Sequence, residues 1–266
     1  MSMKSIPSDH QHSLTILTYN TQAMNMATKT PENKVISYLQ QTKADVLCLQ
    51  EVLVKKNDNR HLSLSELKAA FPNYPYTYYD FKVYNKYRQF GNVVFSKYPL
   101  FNKHTIRYDS RSNITSCCDI AIQGDTLRLF INHLESNKIK EDLDTVLLTR
   151  SLTNSPLLEK LRSAGEIRLQ QARIVSDSIQ ASPHPSVVVG DFNAIPLTRT
   201  YLNMRKGLND CFLLSSNGQL GFTWVHKGIG LRIDYILTSP QLTPVAFHID
   251  HNKASDHYPC RATIVW

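Results

Sequence analysis

The chain has 266 residues, 42% hydrophobic and 20% charged, the balance of a globular protein with room for one large α/β domain or two small ones. Its five cysteines have no regular spacing and no CxxC pair, which excludes a disulfide framework and a cysteine zinc site, and no run reaches the ~20 apolar residues that span a bilayer. Thirty Lys and Arg stand against 22 Asp and Glu, a formal charge of +8; this suits anionic partners such as nucleic acid or phospholipid headgroups, and serves solubility equally well because the cations form no arginine-rich arm.

Residues 1–13, MSMKSIPSDHQHS, are polar and lack the apolar middle of a signal peptide. They read as a disordered or tag-like segment ahead of a single domain over 14–266. A natural start there implies a cytoplasmic protein, and a start left by removal of a leader implies an anchored or exported one.

Apolar runs of strand length then recur. They predict strands at Leu14–Tyr19, Asp45–Leu49, Gly91–Phe95, Cys118–Ile122, Leu127–Asn132, Val187–Val189, Leu231–Leu237 and Ala262–Val265. Between them, helical spacing predicts helices from Pro31 to Gln41, Leu62 to Phe71 and Ser155 to Ala181, the last with a candidate break at Gly165. Strands mixed with helices along the whole length imply an α/β protein with helices packed on sheets.

Several of these strands end in a metal- or proton-competent group. Asn20 ends LTILTYN, Glu51 ends ADVLCLQE, His133 ends LRLFINH, and Asp191 and Asn193 end SVVVGDFN. Loops at strand ends hold polar groups on a rigid frame, so four such endings predict one shared site. Glu51 suits a hard cation, and the alternative is a surface acid. Asp191 and Asn193, two apart in extended backbone, point the same way, and the alternative is an Asx turn. Asp234 lies inside the apolar LRIDYIL, where an acid needs a partner, either a histidine or the adjacent Arg232. Asp256 and His257 precede the last strand, and an imidazole paired with a distant carboxylate fits general base catalysis. Arg88, among Tyr84, Lys86 and Tyr87, and Asn113 are weaker candidates for holding a substrate phosphate. No P-loop, GxGxxG, GxSxG elbow or HExxH is present.

Taken in order, YN, LQE, NHLES, GDFN, RIDYIL and SDHYP resemble the endonuclease/exonuclease/phosphatase superfamily, which includes deoxyribonuclease I. The wording of GNVVFSKYP, FNAIP and LRIDYILTSP looks closest to uncharacterised bacterial members of Bacteroidetes type. The resemblance implies a deoxyribonuclease I-like four-layer α/β sandwich, two packed mixed sheets flanked by helices. It implies a divalent-metal-dependent hydrolase of phosphate esters, with Mg²⁺ (or Mn²⁺) on Glu51, Asn20 beside it and Asp256 as a metal-side acid. It gives Asp191, Asn193 and His133 to nucleophile and phosphate, and has Asp234 orient His257. Asn132 stands where the family usually has Thr or Ser before the histidine.

A phosphodiesterase of nuclease type, acting as a monomer on a phosphate ester such as nucleic acid, is the expected function. The alternatives are a phosphomonoesterase, a sphingomyelinase-like phospholipid diesterase, and a non-catalytic binding protein on the same fold.

Overall fold

The computed structural model describes residues 12–25, 33–55, 61–137, 156–215 and 221–266. Residues 1–11 of the expected N-terminal segment lie outside these.

Two six-stranded mixed sheets form the centre. The first runs β13 (Thr243–Ile249), β14 (Cys260–Val265), β1 (Ser13–Asn20), β2 (Val46–Lys55), β4 (Arg88–Ser96), β3 (Tyr76–Tyr84). The second runs β5 (Leu100–Arg107), β6 (Ile114–Ile122), β7 (Asp125–His133), β8 (Ser186–Asp191), β12 (Asp234–Thr238), β9 (Asn209–Asp210). Successive side chains of a strand point to opposite faces. Thus Leu14, Ile16, Val46 and Cys48 enter the layer between the sheets, where they meet Leu129, Ile131, Val187 and Val189. Leu17, Tyr19, Leu47 and Leu49 face outward into a second core. Both faces of these central strands are buried, which is why they read as mainly apolar stretches.

Helices cover the outer faces. On the first sheet, α2 (Lys34–Gln41) buries Val35, Ile36 and Leu39, and α3 (Leu64–Ala69) buries Leu67. The short α1 (Gln22–Asn25) is a single turn with left-handed backbone. On the second sheet, α4 (Pro156–Gln180) buries Ala172, Val175 and Ile179 beside Tyr201 and Met204 of α5 (Arg199–Met204). A last helix, α6 (Cys211–Ser215), follows β9. The result is the expected four-layer α/β sandwich.

Local chemistry sets the helix ends. The Asn33 side chain accepts from the Ile36 amide and starts α2, so the helix begins at Lys34; Pro31 lies outside the described residues. Ser63 and Glu66 form a capping box that starts α3 after the predicted Leu62. Gly165 does not break α4, which continues through it to Gln180.

Two strands differ from expectation in ways that matter for the site. Glu51 does not end β2; the strand continues to Lys55 across a bulge between Leu49 and Val52. The expected strand Leu231–Leu237 is two pieces, because β11 (Ile229–Leu231) pairs with β10 (Trp224–His226) in a small hairpin and β12 begins only at Asp234.

Parallel pairing locates the site. β1 and β2 are parallel in one sheet, and β7 and β8 are parallel in the other. The Asn20 amide at the end of β1 donates to Asp191 Oδ2 at the end of β8, 2.9 Å away. The carboxyl ends of the two parallel pairs therefore meet across the sandwich.

Candidate active site

Gly190 lets β8 deliver Asp191. Its φ is +123°, and a Cβ there would stand 2.1 Å from the Asn132 carbonyl oxygen, so only glycine fits. Asn132 is itself fully buried, donating to the Val189 carbonyl and accepting from Thr115 Oγ1. An amide in place of the usual hydroxyl thus ties β6, β7 and β8 together behind the site.

Glu51 and Asn193 adopt left-handed backbone, φ 54° and 49°. Such conformations are uncommon for residues with a Cβ and concentrate at functional sites. The bulge turns Glu51 out of the strand repeat toward Asn20, whose Nδ2 is 3.2 Å from Glu51 Oε1. Asn193 is not in extended backbone, yet its amide N–H and Nδ2 donate to the two oxygens of Asp191 at 2.8 and 3.1 Å. The shared direction expected for Asp191 and Asn193 therefore arises from a turn.

His257 sits between two carboxylates. Its Nδ1 is 2.9 Å from Asp234 Oδ2 and its Nε2 is 3.7 Å from Asp191 Oδ2. Asp234 and Asp191 are direct partners across β12 and β8. Asp234 therefore pairs with histidine; Arg232 turns instead to Asp210, 2.9 Å away. Asp191, Asp234 and His257 bring ligand atoms within 4.8 Å of one another. His133 Nε2 lies 3.2 Å from Glu51 Oε1, an ion-pair contact, and its buried Nδ1 has no partner among the described residues.

These contacts set the charges. Burial pushes Glu51 up, but His133 and the Asn20 amide outweigh it and hold the carboxyl down at about 2. Burial disfavours the imidazolium of His257, yet Asp234 and Asp191 together raise it well above the ordinary histidine range. Burial raises Asp191, with Asp234 adding to the effect against His257. His133 is raised too, because Glu51 outweighs its burial. The arrangement joins a firmly ionised carboxylate, a hydrogen-bond-donating imidazolium and a carboxylate that accepts protons more readily than usual.

Glu51, Asp191, Asn193, Asp256 and His257 line one cleft of about 1270 Å³, while Asn20, His133 and Asp234 are buried beside them and are not part of the lining. Asp256 and His257 both line it because residues 255–256 form a bend, where extended backbone would send them to opposite faces. Two candidates fall elsewhere. Arg88 is exposed at the hairpin end of β4 and is not part of the lining. Asn113 is buried, its Nδ2 donating to the Leu134 carbonyl.

Three supporting residues escaped the sequence reading. The Trp224 indole N–H donates to Asp256 Oδ2 at 3.0 Å. Thr223 Oγ1 accepts from the backbone amides of Ile233 and Asp234. Ser255 Oγ donates to the Asn20 carbonyl and accepts from the His257 amide. Ser255 stood within SDHYP; nothing in the spacing of Thr223 and Trp224 marked them.

A profile of the Endonuclease/Exonuclease/phosphatase family matches residues 17–257, and the chain belongs to that family. Its members are phosphoester hydrolases, and this protein is an enzyme of that class. Among solved structures, an endonuclease/exonuclease/phosphatase from Beutenbergia cavernae matches with TM-score 0.71 and 17% identity, over 96% of this chain and 72% of that one. Humanized D. rerio TDP2 matches with TM-score 0.67 and 18% identity, over 95% and 98%. Staphylococcus aureus beta toxin matches with TM-score 0.63 and 17% identity, over 94% and 99%. These likenesses establish the fold and do not extend to any particular bacterial group. No curated protein matches the chain.

Proposed function

We propose that the protein is a divalent-metal-dependent phosphodiesterase of nuclease type. The observation that carries this reading is His257 held between Asp234 and Asp191 in the same cleft as the ionised Glu51. The donor set fits Mg²⁺: Glu51 and Asp256 line the cleft with hard carboxylate oxygens, Asn20 stands beside Glu51 through its amide, and Glu51 is ionised without a proton to displace. Mg²⁺, or Mn²⁺ in its place, would neutralise a non-bridging phosphate oxygen.

The chain's own residues supply the rest. Asp191, raised by burial, accepts the proton of a water that attacks phosphorus in line. His257, kept protonated by its two carboxylates, donates a hydrogen bond to the phosphate. The Asn193 amide, in the cleft lining, adds a donor, and His133, buried beside Glu51, a second. A dyad in which neutral His257 takes the proton is the competing assignment, and the rise of His257 favours Asp191.

One observation supports a second reading, a phospholipid diesterase. Leu197, 84% exposed, and Ile195, 44% exposed, stand on the cleft rim, where an acyl chain would lie. A panel separates the two. It holds plasmid DNA, an abasic and a 5′-tyrosyl oligonucleotide, sphingomyelin, inositol phosphates and bis-p-nitrophenyl phosphate, with Mg²⁺ or Mn²⁺. Preference for an oligonucleotide, lost with EDTA and in His257→Ala, is the expected result. Preference for sphingomyelin selects the second reading. Absence of turnover throughout would reject both.

A further inference from the structure

The long helix α4 forms one wall of the cleft, and its cations differ in their surroundings. Lys160 and Arg162 are exposed at the rim, as is Arg199 on the facing wall. Arg168 is 6% exposed, yet it lines the same cleft as Asp191, Asn193 and His257.

A buried guanidinium ordinarily meets a carboxylate, because desolvating a charge is costly without one. Among the described residues, none lies within ion-pair distance of Arg168. Its Nη1 donates to the Glu135 carbonyl at 3.0 Å and to Asn137 Oδ1 at 2.6 Å. Its Nε is buried with no partner among the described residues. Two of the bonds are thus made through one nitrogen, and the remaining donors of the fork are left over. Burial pulls the group down to about 10, with Asp191 and Glu135 only partly opposing it. Gln171, one turn on, accepts from the Glu135 amide, and its own buried Nε2 has no partner among the described residues.

We propose that Arg168 is an anion-binding residue of the active site, whose missing counterion is a phosphate oxygen of the substrate. A guanidinium fork matches phosphate geometry and binds it through paired hydrogen bonds. The two bonds to Glu135 and Asn137 fix the side chain in advance, so little freedom is lost on binding. They also place the cation directly behind the segment that leaves His133. The proposal rests on the phosphoester reading of the cleft and extends it by one residue.

The test is calorimetric titration of inorganic phosphate into the EDTA-treated full chain, for wild type, Arg168→Gln and Arg168→Lys. Thermal unfolding checks that each variant is folded. Loss of a charge-assisted pair predicts affinity roughly 10- to 100-fold weaker in Arg168→Gln, with Arg168→Lys in between. A role confined to holding Glu135 and Asn137 would lower the melting temperature and leave phosphate affinity unchanged, which overturns the proposal. If Arg168→Gln does not fold, Arg168→Lys decides alone: affinity equal to wild type overturns it and weaker affinity supports it. Bis-p-nitrophenyl phosphate hydrolysis by the wild type separates the two ideas. Turnover with phosphate affinity indifferent to residue 168 rejects only Arg168. No turnover, with phosphate binding lost in Arg168→Gln, rejects only the hydrolase reading.

Discussion

His257 Nδ1 lies 2.9 Å from Asp234 Oδ2, and that contact fixes what the other face of the ring can do. With Nδ1 committed to Asp234, Nε2 is the atom turned toward Asp191 and the cleft. Asp234 is held in turn by its backbone amide bond to Thr223 and its position opposite Asp191. Two carboxylates and one imidazole thus form a row whose order is set by β-sheet register.

Replacing Asp234 with Asn keeps the shape and removes the charge that sustains the imidazolium. Asp234→Asn is expected to lower kcat roughly 10²- to 10³-fold, the usual range for a lost transition-state hydrogen-bond donor. Steady-state hydrolysis of bis-p-nitrophenyl phosphate measures it. A kcat within threefold of wild type would reject the role assigned to the pair.

Glu51 is expected to govern the cation. Mg²⁺ at about a hundred times its dissociation constant stabilises a binding fold by about 2.7 kcal/mol. For a chain of this size that is a rise in Tm of roughly 5 °C. Melting curves with Mg²⁺ and with EDTA should show this rise in wild type and its loss in Glu51→Gln. An equal rise in the variant would place the cation elsewhere.

Asn193 combines a donor with left-handed backbone. Asn193→Gly suits φ 49° at least as well as asparagine does, which offsets loss of the Nδ2 bonds to Asp191 and the Leu134 carbonyl, so stability should change by no more than about 1 kcal/mol. The lost side-chain donor should still lower kcat roughly 10²- to 10³-fold. Denaturant unfolding and kinetics on the same sample test both halves, and parallel losses would make Asn193 merely structural.

Asp119 gives a pH prediction remote from the cleft. Its side chain is fully buried and accepts from Arg128 Nε at 2.7 Å, Arg128 Nη2 and Asn102. Burial pushes its carboxyl up, but Arg128 and Asn102 outweigh burial and hold it below the ordinary value. A lowered folded pKa contributes stability that is complete above the unfolded value of about 3.9 and is lost as pH falls through the folded one. Asp119→Ala should cost about 3 kcal/mol near pH 7. Urea titrations should show that gap narrowing below pH 4, and a gap that stays constant to pH 2 would refute the account.

The sequence made the central strands legible and hid the edges. β1, β2, β7 and β8 bury both faces, so each carries a mainly apolar stretch, interrupted only by Thr15 and Thr18 in β1 and by Arg128 in β7. The four strands at the sheet edges, β3, β5, β9 and β13, were not foreseen. In β5 most residues are exposed, and β3 is mostly half-buried, so neither carries an apolar signature. The site was legible because its residues follow apolar strands. Trp224 and Thr223 were not, because their importance lies in what they touch across thirty and ten residues. Arg168 was hidden for the same reason: on a helix, a buried cation reads like any solvated one.

The bulge at Glu51 has a dynamic consequence. Hydrogen-bonded strand continues on both sides of it, Leu49 pairing with Val93 and Val52 with Gly91. The carboxylate is therefore mounted on a beam supported at both ends, whereas Asn193 occupies a bend and His257 is tied to Trp224 by a single isolated bridge. Opening fluctuations of the cleft should leave amides 52–54 among the slowest to exchange with solvent, while those of 193–198 exchange early. Whatever closes over a bound ester must then move toward Glu51, which stays still.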